Sequence, residues 1–343
     1  MKKNEISFLN VIFCMMVIFI HVTAFPVTSL PPHNISLMAL YAVQRICGVA
    51  VHGFVFLGGL KLFLKETSCI KYSTYLVSRL KKIYVPYLVI AVAYYLYEVC
   101  MGYMSFDFLK LSGFLVFGSG EAHLYFVFVI MQFYILFPLW RYLMSRVGTV
   151  WVLSVSAVVN IFFYCWFPKV LELCGICDNF SYNHGVFTSY LFAWILGCVC
   201  GKYYKKFLAF INEKFVILGF CALILACYDI YMAYNNYYYG TEFALLKPVR
   251  LLYLPAMILF LYGIAVRCSD KLLNSRAVLL IDSVSYEIYL FHIFVIYFVD
   301  KSITKYLNFG VLESYFLKSF AVYFISIYAC IVFRKMFNKL IPR

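Results

Sequence analysis

Four histidines and one arginine stand inside, or at the mouths of, long apolar runs of this chain. Ionisable groups in a bilayer cost several kcal/mol unless they are paired or hydrated, so each is a candidate for chemistry. His21 closes the run Val17-Ile18-Phe19-Ile20. Histidine suits proton abstraction because its ordinary pKa lies near neutral pH; an interfacial histidine bonded to a carbonyl is the other reading. Arg45 and His52 are seven residues apart, about two turns along one helix face. A guanidinium stays charged, so Arg45 calls for an anion or a wet cavity. Glu121 and His123 open a later run, with Gln132 deeper in it. Glu287 and His292, five residues apart, share a face poorly. The cluster Arg79-Leu80-Lys81-Lys82 reads either as an orientation signal touching lipid headgroups or as a dock for a polyanion such as a nucleotide-bearing group.

The elements that position these groups are helices in lipid. Of 343 residues, 65% are hydrophobic and only 13% charged, about half the share of an ordinary soluble domain. One soluble core cannot hide that much apolar surface. Ten runs approach the roughly twenty residues that cross a bilayer: Ile6–Phe25, Leu37–Phe63, Ile83–Met101, His123–Trp140, Thr149–Phe167, Gly185–Tyr204, Phe215–Tyr234, Arg250–Val266, Val278–Val299 and Ser314–Phe333. Phe108–Phe117 is apolar but too short to span. The expectation is an all-α polytopic membrane protein of about ten transmembrane helices, one membrane-embedded domain over 1–343 without a soluble domain. The first run is read as a permanent span, not a cleavable leader.

Ten spans put both termini on one side. The loops on that side hold about three times as many Lys and Arg as the opposite loops, which predicts cytoplasmic termini. Arg250 counts here among the opposite loop charges. The net charge of +14 falls in short clusters between apolar runs, a pattern that fits orientation in the membrane and not a basic face for nucleic acid. Most of the 13 cysteines lie in apolar runs. Cys174 and Cys177 form a lone C-x-x-C, weak as a zinc motif without a second ligand pair, so no metal is expected.

Several motifs in order resemble those of acyltransferase family 3, multi-spanning proteins that acylate extracytoplasmic glycans. Leu9-Asn10, ten residues and His21 resemble its Leu-Arg, ten residues, His. Val51-His52-Gly53-Phe54-Val55-Phe56-Leu57-Gly58-Gly59 resembles Val-Pro-x-Phe-Phe-x-x-Ser-Gly. Arg79 through Tyr87 is similar to Arg-x-x-Lys/Arg-Ile-x-x-Pro-Tyr. His123-Leu124-Tyr125-Phe126, followed by Gln132, Tyr134 and Pro138, resembles a His-Leu-Trp/Tyr-Phe region. Ser285-Tyr286-Glu287-Ile288-Tyr289-Leu290-Phe291-His292 resembles Ser-Tyr-x-Ile-Tyr-Leu-x-His. The likeness covers almost the whole chain. Two departures stand out: Asn10 replaces the family's arginine, and Gly58 its serine.

The resemblance implies an acyltransferase in the inner or plasma membrane of a bacterium, moving an acetyl or succinyl group from cytoplasmic acyl-CoA to a hydroxyl of an extracytoplasmic polysaccharide, peptidoglycan or lipid-linked glycan. His21 would be the general base. Arg45 or His123 would steady charge on the thioester oxygen. Arg79, Lys81 and Lys82 would hold the CoA phosphates. Asn10, His52, Tyr125, Gln132, Ser285, Tyr289 and His292 would line or support the path. With arginine absent at position 10, either Arg45 carries the positive charge or this branch has left catalysis. The alternative is a transporter or exporter of a glycan intermediate or small polar solute, whose pathway the same residues would line; a regulatory or sensory role comes third. Expected partners are the bilayer and a glycan acceptor, with a second copy of the chain or a glycan-assembly protein left open.

Overall fold

The computed structural model describes residues 4–64, 70–173, 185–268, 270–306 and 309–340. Cys174, Cys177 and His184 lie outside them. The described elements are all helical. They are α1 (Asn4–Val22), α2 (Ala24–Ser29), α3 (Ile35–Cys47), α4 (Ala50–Phe63), α5 (Tyr72–Arg79), α6 (Val85–Cys100), α7 (Phe108–Phe117), α8 (Tyr125–Ile135), α9 (Phe137–Arg146), α10 (Thr149–Cys165), α11 (Phe167–Leu173), α12 (Leu191–Lys202), α13 (Tyr204–Tyr239), α14 (Leu246–Arg267), α15 (Asp270–Leu273), α16 (Arg276–Tyr306) and α17 (Val311–Leu340). A π-turn over Leu80–Tyr84 joins α5 to α6, and a 3₁₀ turn over Phe187–Tyr190 leads into α12.

Seven helical segments among the described residues are long and apolar enough to cross a membrane: Asn4–Ser29, Ile35–Phe63, Tyr72–Cys100, Tyr204–Tyr239, Leu246–Arg267, Arg276–Ser302 and Val311–Met336. An eighth is the pair α8–α9, bent by 53°. Pro138 stands in the first turn of α9; it lacks an N–H and crowds the carbonyl four residues back, so the helix breaks there. The remaining two expected runs are shorter helices, Thr149–Cys165 and Phe187–Lys202. Seventeen residues reach about 26 Å, just under the hydrocarbon thickness. Other helices outrun their expected spans. α13 has 36 residues, about 54 Å. The third span begins at Tyr72, so the basic cluster lies within a continuous helical run and not before it. Pro86, near the start of α6, donates no hydrogen bond, and the wider π-turn absorbs that loss.

Local sequence sets the helix ends. Asn34 caps α3, accepting from Ser36 N at 2.8 Å and Leu37 N at 3.3 Å. Asp107 caps α7 in the same way, at 2.7 Å from Leu109 N and 3.3 Å from Lys110 N. Gly118 ends α7 at φ 67°, where a side chain would be strained and its Cβ would meet the Leu124 carbonyl. Thr23 turns its hydroxyl back on Phe19 O (2.7 Å) and Ile20 O (3.1 Å) where α1 gives way to α2.

The chain divides into two compact units, Met1–Phe54 with Leu208–Arg343, and Val55–Phe207. In the first, the most extensive packings are α16 on α17 and α1 on α16. In the second, the end of α4 meets α12 backbone to backbone: a Cβ on Gly197 would strike Phe56 O, one on Gly201 would strike Leu60 O, and one on Gly59 would strike Trp194 O. Gly197 and Gly201 form a small-xxx-small pair, the pattern that lets membrane helices approach closely. Gly58, where the family carries serine, faces the Trp194 ring, 3.0 Å from where its Cβ would stand. That ring stacks on Phe133 with centroids 4.5 Å apart.

Candidate functional site

In the first unit a polar seam runs between α1 and α16. Asn10, Cys14 and His21 fall within about 40° on α1, because steps of four and eleven residues return to the same face. Their partners come from α16. Asn10 Nδ2 donates to Asp282 Oδ1 at 2.9 Å. Cys14 Sγ donates to Ser285 O at 3.5 Å. The rings of His21 and His292 stand with centroids 5.1 Å apart. His292 is wholly buried. Its Nδ1 lies 2.8 Å from Tyr289 O and 3.2 Å from Ile288 O. Carbonyls only accept, so Nδ1 carries the proton and, in the neutral ring, Nε2 keeps the lone pair. Tyr289 sits 6.3 Å from His292, ring to ring, and stacks on Tyr286. Ser285 turns its hydroxyl to Asp282 O at 3.0 Å.

Arg45 meets a carboxylate of the chain itself. Its Nε and Nη2 grip Asp229 Oδ2 and Oδ1 at 2.8 and 2.9 Å, a bidentate pair. Arg250 Nη1 reaches the same Asp229 at 2.8 Å and the Arg45 carbonyl at 3.2 Å. Gly48 leaves room for it, since a Cβ there would strike Arg250 Nη2. Asp229 is 1% exposed. Arg45 stands in α3 and His52 in α4, with the turn Gly48–Val49 between them inside the one span Ile35–Phe63. Glu287 pairs with Arg334 of α17 at 2.5 Å.

The second unit holds the remaining candidates. His123 is buried in the turn before α8, edge-on to Tyr94 at 5.8 Å. Tyr125 is hydrogen-bonded to Tyr190. Gln132 ties α8 to the turn ahead of α12, donating to Gly185 O at 2.8 Å and accepting from Phe187 N at 3.3 Å. The basic cluster divides: Lys81 and Lys82 are exposed, whereas Arg79 is half-buried with its guanidinium over the rings of Tyr75 and Tyr134, at 5.1 and 5.0 Å. Among the described residues no three His, Cys, Asp or Glu side chains are grouped as metal ligands.

Sequence reasoning passed over Asp229 and Asp282, and read Arg250 as a loop charge. The signal was present. Both acids interrupt apolar runs, Ala226-Cys227-Tyr228-Asp229-Ile230 and Leu279-Leu280-Ile281-Asp282, and a carboxylate there needs a partner as much as Arg45 does.

These helices and buried polar pairs define a polytopic membrane protein. The chain belongs to acyltransferase family 3: the profile described as "Acyltransferase domain" matches residues 3–335. It is 26% identical over 174 residues to a Bacillus subtilis (strain 168) protein named "Putative membrane-bound acyltransferase YfiQ", covering 49% of this chain and 46% of that one. It is also 26% identical over 308 residues to a Staphylococcus aureus (strain MSSA476) protein named "Probable poly-beta-1,6-N-acetyl-D-glucosamine export protein", covering 85% of this chain and 82% of that one. A Staphylococcus epidermidis protein of the same name is 25% identical over 318 residues, covering 85% and 81%. No solved structure matches the chain.

Proposed function

We propose that this chain is a membrane O-acyltransferase that moves an acetyl or succinyl group from cytoplasmic acyl-CoA to a hydroxyl of an extracytoplasmic glycan. Family membership over nearly the whole chain supports the reaction class. The observation that carries the reading is the His21–His292 pair, two imidazoles set side by side in an apolar bundle. His21 takes the proton of the acceptor hydroxyl, whose oxygen attacks the thioester carbonyl. The C–S bond breaks, and the leaving thiolate takes up the proton, giving the ester and free CoA thiol. Such a base contributes on the order of 10²–10⁴-fold. His123 steadies the thioester oxygen. Arg45 is already gripped by Asp229, and its role is to hold charge near the path. Arg79, Lys81 and Lys82 hold the CoA phosphates, the exposed lysines as point charges and Arg79 as a planar fork. Asn10, His52, Tyr125, Gln132, Ser285 and Tyr289 support the path. The proposed setting is a bacterial inner or plasma membrane with both termini cytoplasmic.

Purified protein in lipid nanodiscs, given acetyl-CoA or succinyl-CoA and oligomers of β-1,6-linked N-acetylglucosamine, should release CoA thiol and yield a mass-shifted oligosaccharide. His21→Ala should abolish both while leaving the protein monodisperse. Full activity in that variant removes His21 from the mechanism.

A glycan exporter is the second reading. Two observations favour it: the relatives named as export proteins match 85% of the chain, and position 10 is Asn. Oligosaccharide movement across proteoliposomes without thiol release would select it.

A further inference from the structure

Two buried polar hydrogens, on α12 and α5 of the second unit, have no acceptor in the fold. The Trp194 side chain is 0% exposed, and its Nε1–H makes no hydrogen bond. The ring is held where it stands. It stacks on Phe133 at 4.5 Å, meets Tyr134 edge-on at 6.1 Å and lies 6.4 Å from Trp140. The second hydrogen belongs to Tyr75, 8% exposed, whose hydroxyl finds no partner in hydrogen-bond geometry. The Arg79 guanidinium bears on that hydroxyl. A guanidinium only donates, so the phenol O–H gains no acceptor from it. Trp194, Tyr75 and Arg79 stand around one ring, that of Tyr134, at 6.1, 6.0 and 5.0 Å. All three offer hydrogens. A buried donor left unmade costs more than a typical hydrogen bond gains, and native structures keep few of them.

We propose that this cluster receives the arm of the acyl donor: Trp194 Nε1–H and Tyr75 O–H donate to the amide carbonyls in the pantetheine segment of acyl-CoA. The proposal rests on the acyl-transfer reading above and extends it inward from the phosphates assigned to Arg79, Lys81 and Lys82. The chemistry of the cluster selects the ligand. Between its phosphates and its sulfur, acyl-CoA carries a slender chain with two amides, whose carbonyls accept. The rings of Phe133, Tyr134 and Trp140 suit the methyl and methylene groups of that chain. A sugar is a poorer match, because its many hydroxyls would themselves go unmet among these rings. Neither hydrogen is open to solvent as the helices stand, so the arm is admitted where the wall yields. Arg79 is the half-buried member of the three, and the π-turn over Leu80–Tyr84 follows it directly, where the regular helical ladder is already broken.

Trp194→Phe deletes the N–H and keeps an aromatic ring against Phe133; Tyr75→Phe deletes only the hydroxyl. Titration calorimetry of free CoA into the full chain in lipid nanodiscs should show each variant binding about three- to tenfold more weakly than wild type, the worth of one hydrogen bond. ADP, which carries phosphates but no arm, should bind wild type and variants alike. In the transfer assay the donor KM should rise by the same factor, with kcat within about twofold, since the lost bond is made to donor and transition state equally. If Trp194→Phe does not purify as a monodisperse protein, Tyr75→Phe decides the matter. CoA binding unchanged in the purified variants would overturn the proposal, because the hydrogens then answer to a trapped water or to the Tyr134 ring. Equal weakening of CoA and ADP would overturn it too, as general damage to the unit. Both results leave the acyl-transfer reading in place. Failure of the unsubstituted protein to bind CoA would overturn the donor reading, and this proposal with it.

Discussion

Replacing Asp229 with Asn would take away the carboxylate that Arg45 and Arg250 share. Breaking a buried ion pair by removing one partner costs about 3–5 kcal/mol, whereas replacing the whole set with apolar residues is often neutral. Asp229→Asn should therefore lower the melting temperature of the detergent-purified protein markedly. A triple exchange of Arg45, Asp229 and Arg250 to Met, Leu and Met should recover much of it. Equal melting temperatures for the single and triple variants would show that the cluster is not held by its charges. The contact at position 10 invites the opposite change. Asn10 and Asp282 are both half-buried and 2.9 Å apart, so Asn10→Arg would replace a neutral donor with a charge-assisted one. Its expected result is a raised melting temperature, and a protein that fails to insert would refute it. Arg45, His21 and His292 were legible as candidates because polar groups in apolar runs carry a cost that must be met. Their partners were not, since nothing in a one-dimensional spacing joins residue 45 to residue 229 or residue 21 to residue 292.

Glycine-mediated approach governs the packing of α4 and α12. A methyl group on Gly197 would strike the Phe56 carbonyl, a backbone atom that cannot rotate away. Gly197→Ala should reduce thermal stability. Gly148→Ala, whose Cβ would meet only the edge of Trp151 at 3.7 Å, should leave it near wild type. Similar melting curves for the two would argue against close packing of α4 on α12. At the start of α7, Asp107→Ala removes a cap and should cost about 1 kcal/mol, read as faster backbone hydrogen exchange over Leu109–Leu111. The helices themselves were largely legible, because twenty apolar residues and a flanking charge are local signals. The bend at Pro138 and the continuation of the third span through Arg79 were not anticipated. A proline announces a missing donor, but the surroundings decide whether the chain breaks or widens into a π-turn.

Across the described residues, seven helical segments are long and apolar enough to cross a membrane, a bent pair makes an eighth, and three shorter apolar helices stand beside them, so the expected count of about ten holds only approximately. On the proposed topology, with both termini cytoplasmic, a fluorescent protein fused to either terminus should glow in the cytoplasm, and a periplasmic reporter at the same points should stay dark. Opposite results at the two ends would mean that one short or bent helix does not cross. What the amino-acid sequence determined alone was that this chain lives in lipid, where its helices fall, and which polar side chains had to be accommodated there. These follow from transfer free energies and backbone hydrogen bonding, which act residue by residue along a segment. Only the tertiary structure decided that Arg45 answers to Asp229, Asn10 to Asp282 and His21 to His292. Each pairing depends on which faces of distant helices meet, a choice made by packing between segments more than 180 residues apart.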